Sequence, residues 1–229
     1  MAKYCITTLS CGKKYNKYLK ENILSNEKII SCGADIFITT DDPDFFNDIS
    51  LKSPAKLVTF SFTPEPRMPD VREGSKRTWF NYHQKRIAIK NAHKSGYNKI
   101  FYIDSDIRVF DWKEERLIKE ESGFWFRTLL SRNQYLNKYK FYDTLYNVDK
   151  WHYYRPVSEK IIYINECSDK ITGFLKVWEH LEMISRGKVN PYSEGHEILI
   201  SARFNGARIS KYKPDPFKGD NKIMEDAHI

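Results

Sequence analysis

The sequence predicts an α/β fold, with a mostly parallel central sheet flanked by helices and a less regular second half. Three observations lead there. The first sixty residues alternate strand-like, helix-like and strand-like patterns, the rhythm of a parallel sheet. A short apolar run at 99–103 reads as a further strand and ends on Asp104-Ser105-Asp106. Hydrophobic residues make up 41% of the 229, so the chain is globular, with room for one sizeable core and too little length for two full domains. A single domain over 1–229 is expected, with halves 1–106 and 107–229.

Residues 3–9 read as a buried strand, broken by Ser10-Cys11-Gly12. Residues 13–26 follow as a helix, with Tyr15, Leu19 and Ile23 spaced at four on one face and Tyr18 beside them. Gly33 closes that unit. Residues 34–40 form a second strand running into Asp41-Asp42-Pro43, and 56–62 a third. Pro64, Pro66, Pro69 and Gly74 make 63–74 a loop, either a flap or a passive connector. Residues 75–94 are expected as a helix through Phe80, His83, Ile87 and Asn91, ended by Gly96. The strand at 98–103 comes next.

Beyond residue 106 the pattern loosens. Residues 123–126 suit a strand, and 129–148, rich in Tyr and Asn, are read as irregular or weakly helical. Residues 160–164 are a strand. Ile171, Leu175 and Trp178 mark an amphipathic helix over 169–186, and 194–204 a shorter one. Residues 207–210 suit a last strand before a basic tail. No internal repeat or low-complexity tract is present.

The net charge is +8, from 38 Lys and Arg against 30 Asp and Glu. Such a surface suits an anionic partner, although a solvated basic face serves solubility equally well. Aromatics reach 15%; most are expected in the core, and some suit stacking on sugar or base rings. Cys5, Cys11, Cys32 and Cys167 match no metal-binding spacing and are expected reduced, in a cytoplasmic protein. The start does not resemble a signal peptide, and no apolar run approaches the roughly 20 residues that cross a bilayer.

The chemistry concentrates at Asp104 and Asp106. Two carboxylates two residues apart, just past a strand end, reach one small volume if the backbone bends there. Held close they repel, and a cation relieves them. A hard divalent cation, Mn²⁺ or Mg²⁺, prefers such oxygens and bridges to a diphosphate. A bare Asp-x-Asp is common in solvated turns; the strand before it is what singles this one out. Glu194, His196 and Glu197 form a second constellation at the start of a helix, where a carboxylate beside a histidine suits orienting and deprotonating a hydroxyl. Glutamate is also an ordinary residue at a helix start.

The strand ending in Asp104-Ser105-Asp106, with the strand–helix–strand order over 4–42, resembles the GT-A glycosyltransferases. The order strand 160–164, helix 169–186, then Glu194-Gly195-His196-Glu197 is similar, more loosely, to the blood-group-type α-1,3-transferases. Glu-Gly-His-Glu departs from their His-Asp-Glu-Ser pattern. The resemblance implies a nucleotide-sugar donor, a UDP-sugar first, bound by 1–106, and an acceptor bound by 107–229. Asp106 would bind the metal directly. Asp104 would reach it directly or through water, and would touch the donor ribose. Thr7 and Thr8 would lie near the nucleobase, Asp41 or Asp42 at base or ribose, and Arg86 at the nucleotide. Glu197, with His196 and Glu194, would serve catalysis or the acceptor. A closing tail would bring Lys218 and Lys222 to the diphosphate, with Lys211 and Lys213 nearby and His228 as a third metal ligand.

The acceptor divides into two expectations. Hydroxymethylated cytosine in double-stranded DNA suits the charge, and the basic, aromatic stretch 132–155 (Arg132, Lys138, Lys140, Lys150 and Arg155 among Tyr135, Tyr139, Trp151 and Tyr153) suits a base turned out of its stack. Trp112 and Trp125 are further candidates for that stacking. A saccharide or lipid-linked saccharide at an anionic membrane face is the alternative. A nucleotidyltransferase would use the same paired carboxylates, but it usually carries a Gly-rich phosphate loop, and Ser10-Cys11-Gly12-Lys13 has one glycine. A non-catalytic nucleic-acid-binding protein is the remaining reading.

Overall fold

The computed structural model describes residues 3–52, 54–64, 68–69, 78–79, 84–127, 157–185, 194–218 and 222–226. In chain order these form β1 (Cys5–Ser10), α1 (Lys13–Leu19), a π-helical turn (Lys20–Leu24), α2 (Glu27–Ile30), β2 (Asp35–Thr40), a 3₁₀ turn (Pro43–Phe46) and β3 (Leu57–Ser61). Two short strands, β4 (Met68–Pro69) and β5 (Thr78–Trp79), precede α3 (Lys85–Lys94), β6 (Lys99–Ile103), β7 (Ile107–Val109), α4 (Glu114–Leu117) and β8 (Gly123–Phe126). The last elements are β9 (Ile161–Asn165), α5 (Ser168–Ser185), α6 (Glu194–Phe204), β10 (Ile209–Lys211) and β11 (Met224–Asp226).

Seven strands form one sheet in the order β10–β8–β9–β6–β1–β2–β3. β3, β2, β1 and β6 are parallel neighbours, β9 runs antiparallel to both β6 and β8, and β10 is parallel to β8. β9 therefore opposes the other six. The central strands are buried on both faces, which is why they read as nearly continuous apolar runs. Alternate residues feed two cores. On one face Tyr4, Ile6, Ile38, Phe101, Ile103 and Tyr163 pack beneath Leu19, Ile23, Leu24, Trp112, Phe217 and Met224. On the other, Cys5, Phe37, Ile100, Tyr102, Phe124 and Ile164 pack against Ala88, Ile89, Phe174, Trp178, Ile198 and Leu199 of α3, α5 and α6. Each such large side chain, fully buried, stabilises the fold by about 1.5–3 kcal/mol.

The chain leaves β1 toward β2 and β3 on one side, and leaves β6 toward β9, β8 and β10 on the other. β1 and β6 thus flank the point where the strand order reverses. In open α/β sheets the crevice outside the carboxyl ends of the strands at that point is where ligands bind.

Several expected boundaries shift. The helix expected over 13–26 is α-helical to Leu19, then widens to a π turn that brings both Ile23 and Leu24 into the core. Asn26 starts the next helix: its side chain accepts hydrogen bonds from the Lys28 and Ile29 amides. The helix expected from 75 begins at Lys85, because Thr78–Trp79 is extended and pairs antiparallel with Met68–Pro69, inside the stretch expected as loop. The tail is ordered past the expected last strand: Tyr212, Phe217, Ile223 and Met224 are buried, and β11 pairs antiparallel with β7. Trp112 and Trp125 are core residues, not stacking groups at a pocket mouth. Trp112 packs edge-on against Phe101 at 5.1 Å, and Trp125 lies tilted against Tyr163 at 5.7 Å. The stretch 132–155 and His228 lie outside the described residues. Among the described residues no helix is long and apolar enough to cross a membrane.

Candidate functional site

The carboxyl end of β6 builds the site. The Ile107 amide donates to the Asp104 carbonyl at 3.2 Å, closing a turn that holds Asp104, Ser105 and Asp106 before β7 begins. The Asp104 amide donates to the Lys160 carbonyl at 2.9 Å, which extends the β6–β9 ladder to the turn. The Asp104 carboxylate accepts from the Tyr102 hydroxyl (2.7 Å, Oδ1) and from Lys85 Nζ (2.9 Å, Oδ2). The Lys85 and Asp104 side chains are 8% and 15% exposed. Burial pushes the Asp104 carboxyl up to about 6; the Lys85 ammonium pulls it down, and the neighbouring Asp106 charge raises it again.

This turn fits a hard divalent cation. A carboxylate has about four lone-pair positions, and Tyr102 and Lys85 use two of those on Asp104. A second carboxylate, Asp106, shares the turn. A buried carboxyl raised by a like-charged neighbour gains from an added cation. The protein would supply two oxygen ligands from Asp104 and Asp106. Among the described residues no group of three or more His, Cys, Asp or Glu side chains could hold a metal ion.

The end of β1 lies next to that turn. Gly12, at φ 86, turns the chain from β1 into α1, a conformation that glycine adopts without steric cost. Its amide donates to both Asp41 oxygens at 2.9 Å. Asn16 joins Ser10 (2.6 Å), Thr40 (3.3 Å) and Asp41 (3.4 Å) into the same network. Asp41 therefore braces the β1–α1 turn against the end of β2. Asp42 is exposed, and its amide is held by the Thr40 hydroxyl at 3.2 Å. Thr7 and Thr8 lie inside β1, which continues to Ser10. Thr7 donates to the Ala88 carbonyl at 3.1 Å, and the buried Thr8 hydroxyl has no partner among the described residues.

Arg86 follows Lys85 on α3 but turns the other way. Its Nη1 meets Glu179 at 2.8 Å, and its Nη2 and Nε meet Glu182 at 3.2 and 3.3 Å, so it ties α3 to α5. His196 and Glu197 are buried in the first turn of α6. Gly195 lets that turn approach: a Cβ there would run into the Val157 carbonyl oxygen, and the Val157 amide donates to the Gly195 carbonyl at 3.2 Å. The segment 157–160 thus touches Gly195 at one end and Asp104 at the other. It brings the second constellation to the same sheet edge as the first.

Lys218 is exposed, and Lys222 Nζ bonds Glu225 at 2.5 Å. Four residues that the motif reading missed gather at this edge. They are Lys85; Lys160, whose Nζ meets Asp226 at 2.5 Å; Asp226 itself, paired in register with Ile107; and Arg127, 3.8 Å from Asp226 and stacked 3.8 Å over the Phe217 ring. One signal pointed to Asp226: an acidic Glu225-Asp226 pair inside a stretch read as basic.

No protein-family model matches this chain, and no curated protein matches it.

Proposed function

We propose that this chain is a metal-dependent glycosyltransferase, moving a sugar from a nucleotide-sugar donor, a UDP-sugar first, to an acceptor hydroxyl. One observation carries the reading: a two-carboxylate turn closes β6 at the reversal point beside β1, where parallel sheets bind ligands. In this reading Asp106 and Asp104 would hold Mn²⁺ or Mg²⁺, which would supply positive charge to offset that of a diphosphate. Tyr102 and Lys85 fix the Asp104 carboxylate. The β1–α1 turn, braced by Asp41, faces the nucleotide. Glu197 and His196 stand at the acceptor side, where a carboxylate takes the hydroxyl proton.

The proposed acceptor is anionic, with hydroxymethylated cytosine in double-stranded DNA first. Exposed Lys211 ends β10, and exposed Lys213 and Lys218 follow it, on the sheet edge that carries the Asp104–Asp106 turn. Asp104 and Asp106 lie at the end of β6 on that edge, and these lysines lie at β10 with Asp215 among them. Phosphates would meet the lysines, and the metal and donor the acids. A cytoplasmic location belongs to the same proposal. The test is a panel of nucleotide sugars incubated with the protein in Mn²⁺ or in EDTA. Release of nucleoside diphosphate from one donor, in Mn²⁺ only, is expected. No release from any donor, or equal release in EDTA, would remove the reading.

A further inference from the structure

The metal turn is gripped from both sides by the carboxyl-terminal strand. On one side, β11 pairs with β7 in the register Asp226↔Ile107, Glu225↔Arg108, Met224↔Val109, which pins the three residues that follow Asp106. On the other, the Asp226 carboxylate reaches Lys160, and the Lys160 carbonyl accepts the Asp104 amide at 2.9 Å. One residue near position 226 thus contacts both the exit of the turn, through its backbone, and the strand that holds its entry, through its side chain. Neither contact is made by sequence neighbours of the turn.

The charges around Asp226 separate this role from metal ligation. Its Oδ1 faces Lys160 Nζ at 2.5 Å and its Oδ2 faces Arg127 Nη1 at 3.8 Å, with Asp215 3.7 Å from Arg127 Nε. Both oxygens point at cations. The Asp226 side chain is 18% exposed, so its pairing is only partly screened by solvent. Buried Ile223 and Met224 hold the strand in the core, and the Phe110 amide donates to the Ile223 carbonyl at 2.9 Å. The strand therefore stays in place when a side chain at its end is changed.

From this geometry we infer that Asp226 is a positioning residue for the Asp104–Asp106 turn, acting through Lys160 and through the β11–β7 ladder. The metal part of this inference rests on the glycosyltransferase reading; the clamp itself does not. Outer partners that orient ligands typically change metal affinity by about 10–100-fold when removed.

The experiment compares the full chain with Asp226→Asn, Lys160→Gln, the double variant and Asp226→Glu. Amide hydrogen exchange is followed at 104–109, and Mn²⁺ affinity is read from the free-ion electron paramagnetic resonance signal. In Asp226→Asn and Lys160→Gln, exchange at 104–109 should quicken by about tenfold while amides of β1 and β2 stay as in the wild type. Mn²⁺ affinity should fall by about tenfold. The double variant should be no worse than either single one, and Asp226→Glu should recover part of the loss. Unchanged exchange at 104–109, or a uniform acceleration across the sheet, would overturn the clamp. A wild-type protein that takes up no Mn²⁺ would instead sink the metal reading, and the exchange data would still decide the clamp. If Asp226→Asn does not fold, Lys160→Gln decides it, since it removes the same ion pair and leaves β11 unaltered.

Discussion

Asp104 holds one charge under competing influences, with a Tyr102 hydrogen bond also favouring the carboxylate. Burial disfavours its carboxylate, Asp106 disfavours it further, and Lys85 favours it. The balance leaves its carboxyl near 6. Its pKa in the folded chain is thus raised above the usual carboxylate value, so the proton is held more tightly folded than unfolded. The stabilisation from that proton is complete below about pH 4 and is lost as pH rises through about 6. A metal bound at Asp104, as proposed, would have to compete with the same proton. Mn²⁺ affinity should therefore be flat above about pH 7 and fall by up to about tenfold per pH unit below about 6. Titrations at pH 5, 6 and 7.5 check this, and affinity independent of pH across that range would place the metal away from Asp104. The motif was legible because four apolar residues, Ile100 to Ile103, run straight into it. Lys85 was not legible, since its ion pair joins positions 19 residues apart through the packing of a helix on a strand.

At the scale of elements, α3 divides its first turn between two tasks. Lys85 turns to Asp104 and Arg86 to α5, where Glu179 and Glu182 receive it. Arg86 and Glu182 are 8% and 5% exposed at the side chain, so Arg86→Met removes a largely buried cation from between Glu179 and Glu182. A loss of about 3 kcal/mol in unfolding free energy is expected from denaturant titration. Unchanged stability with weakened donor binding would return Arg86 to the nucleotide, as its place in the sequence first suggested. Strand positions were read well where both faces are buried, as at Lys99–Ile103 and Gly123–Phe126. Strand direction was not, because nothing in Ile161–Asn165 distinguishes an antiparallel strand from a parallel one. The start of α3 was misplaced because Phe80, His83, Ile87 and Asn91 fit a helical stripe although Thr78–Trp79 pairs as a strand.

Across the whole molecule, the net charge of +8 meets the carboxyl edge of the sheet as a mixture of acids and bases. Asp41, Asp42, Asp104 and Asp106 lie there with Lys85, and exposed Lys211, Lys213 and Lys218 lie at β10 with Asp215 among them. If three phosphates are met there, duplex binding should weaken on the order of tens-fold between 50 and 200 mM salt. Filter binding at the two salt concentrations measures it, and binding that is absent at low salt or insensitive to salt would favour an uncharged saccharide acceptor. Composition announced the charge but not that Lys211, Lys213 and Lys218 reach this edge, which depends on the tail returning to β10 and β11 rather than fraying. The central claim is a metal-bridged nucleotide at the reversal point between β1 and β6. Calorimetric titration of nucleoside diphosphates, UDP first, tests it most directly, with wild type and Asp106→Asn each run in Mn²⁺ and in EDTA. One diphosphate should bind the wild type at least about tenfold more tightly in Mn²⁺, and Asp106→Asn should lose that gain while melting at the wild-type temperature. Equal binding in EDTA, or an Asp106→Asn protein that keeps the full Mn²⁺ gain, would contradict it.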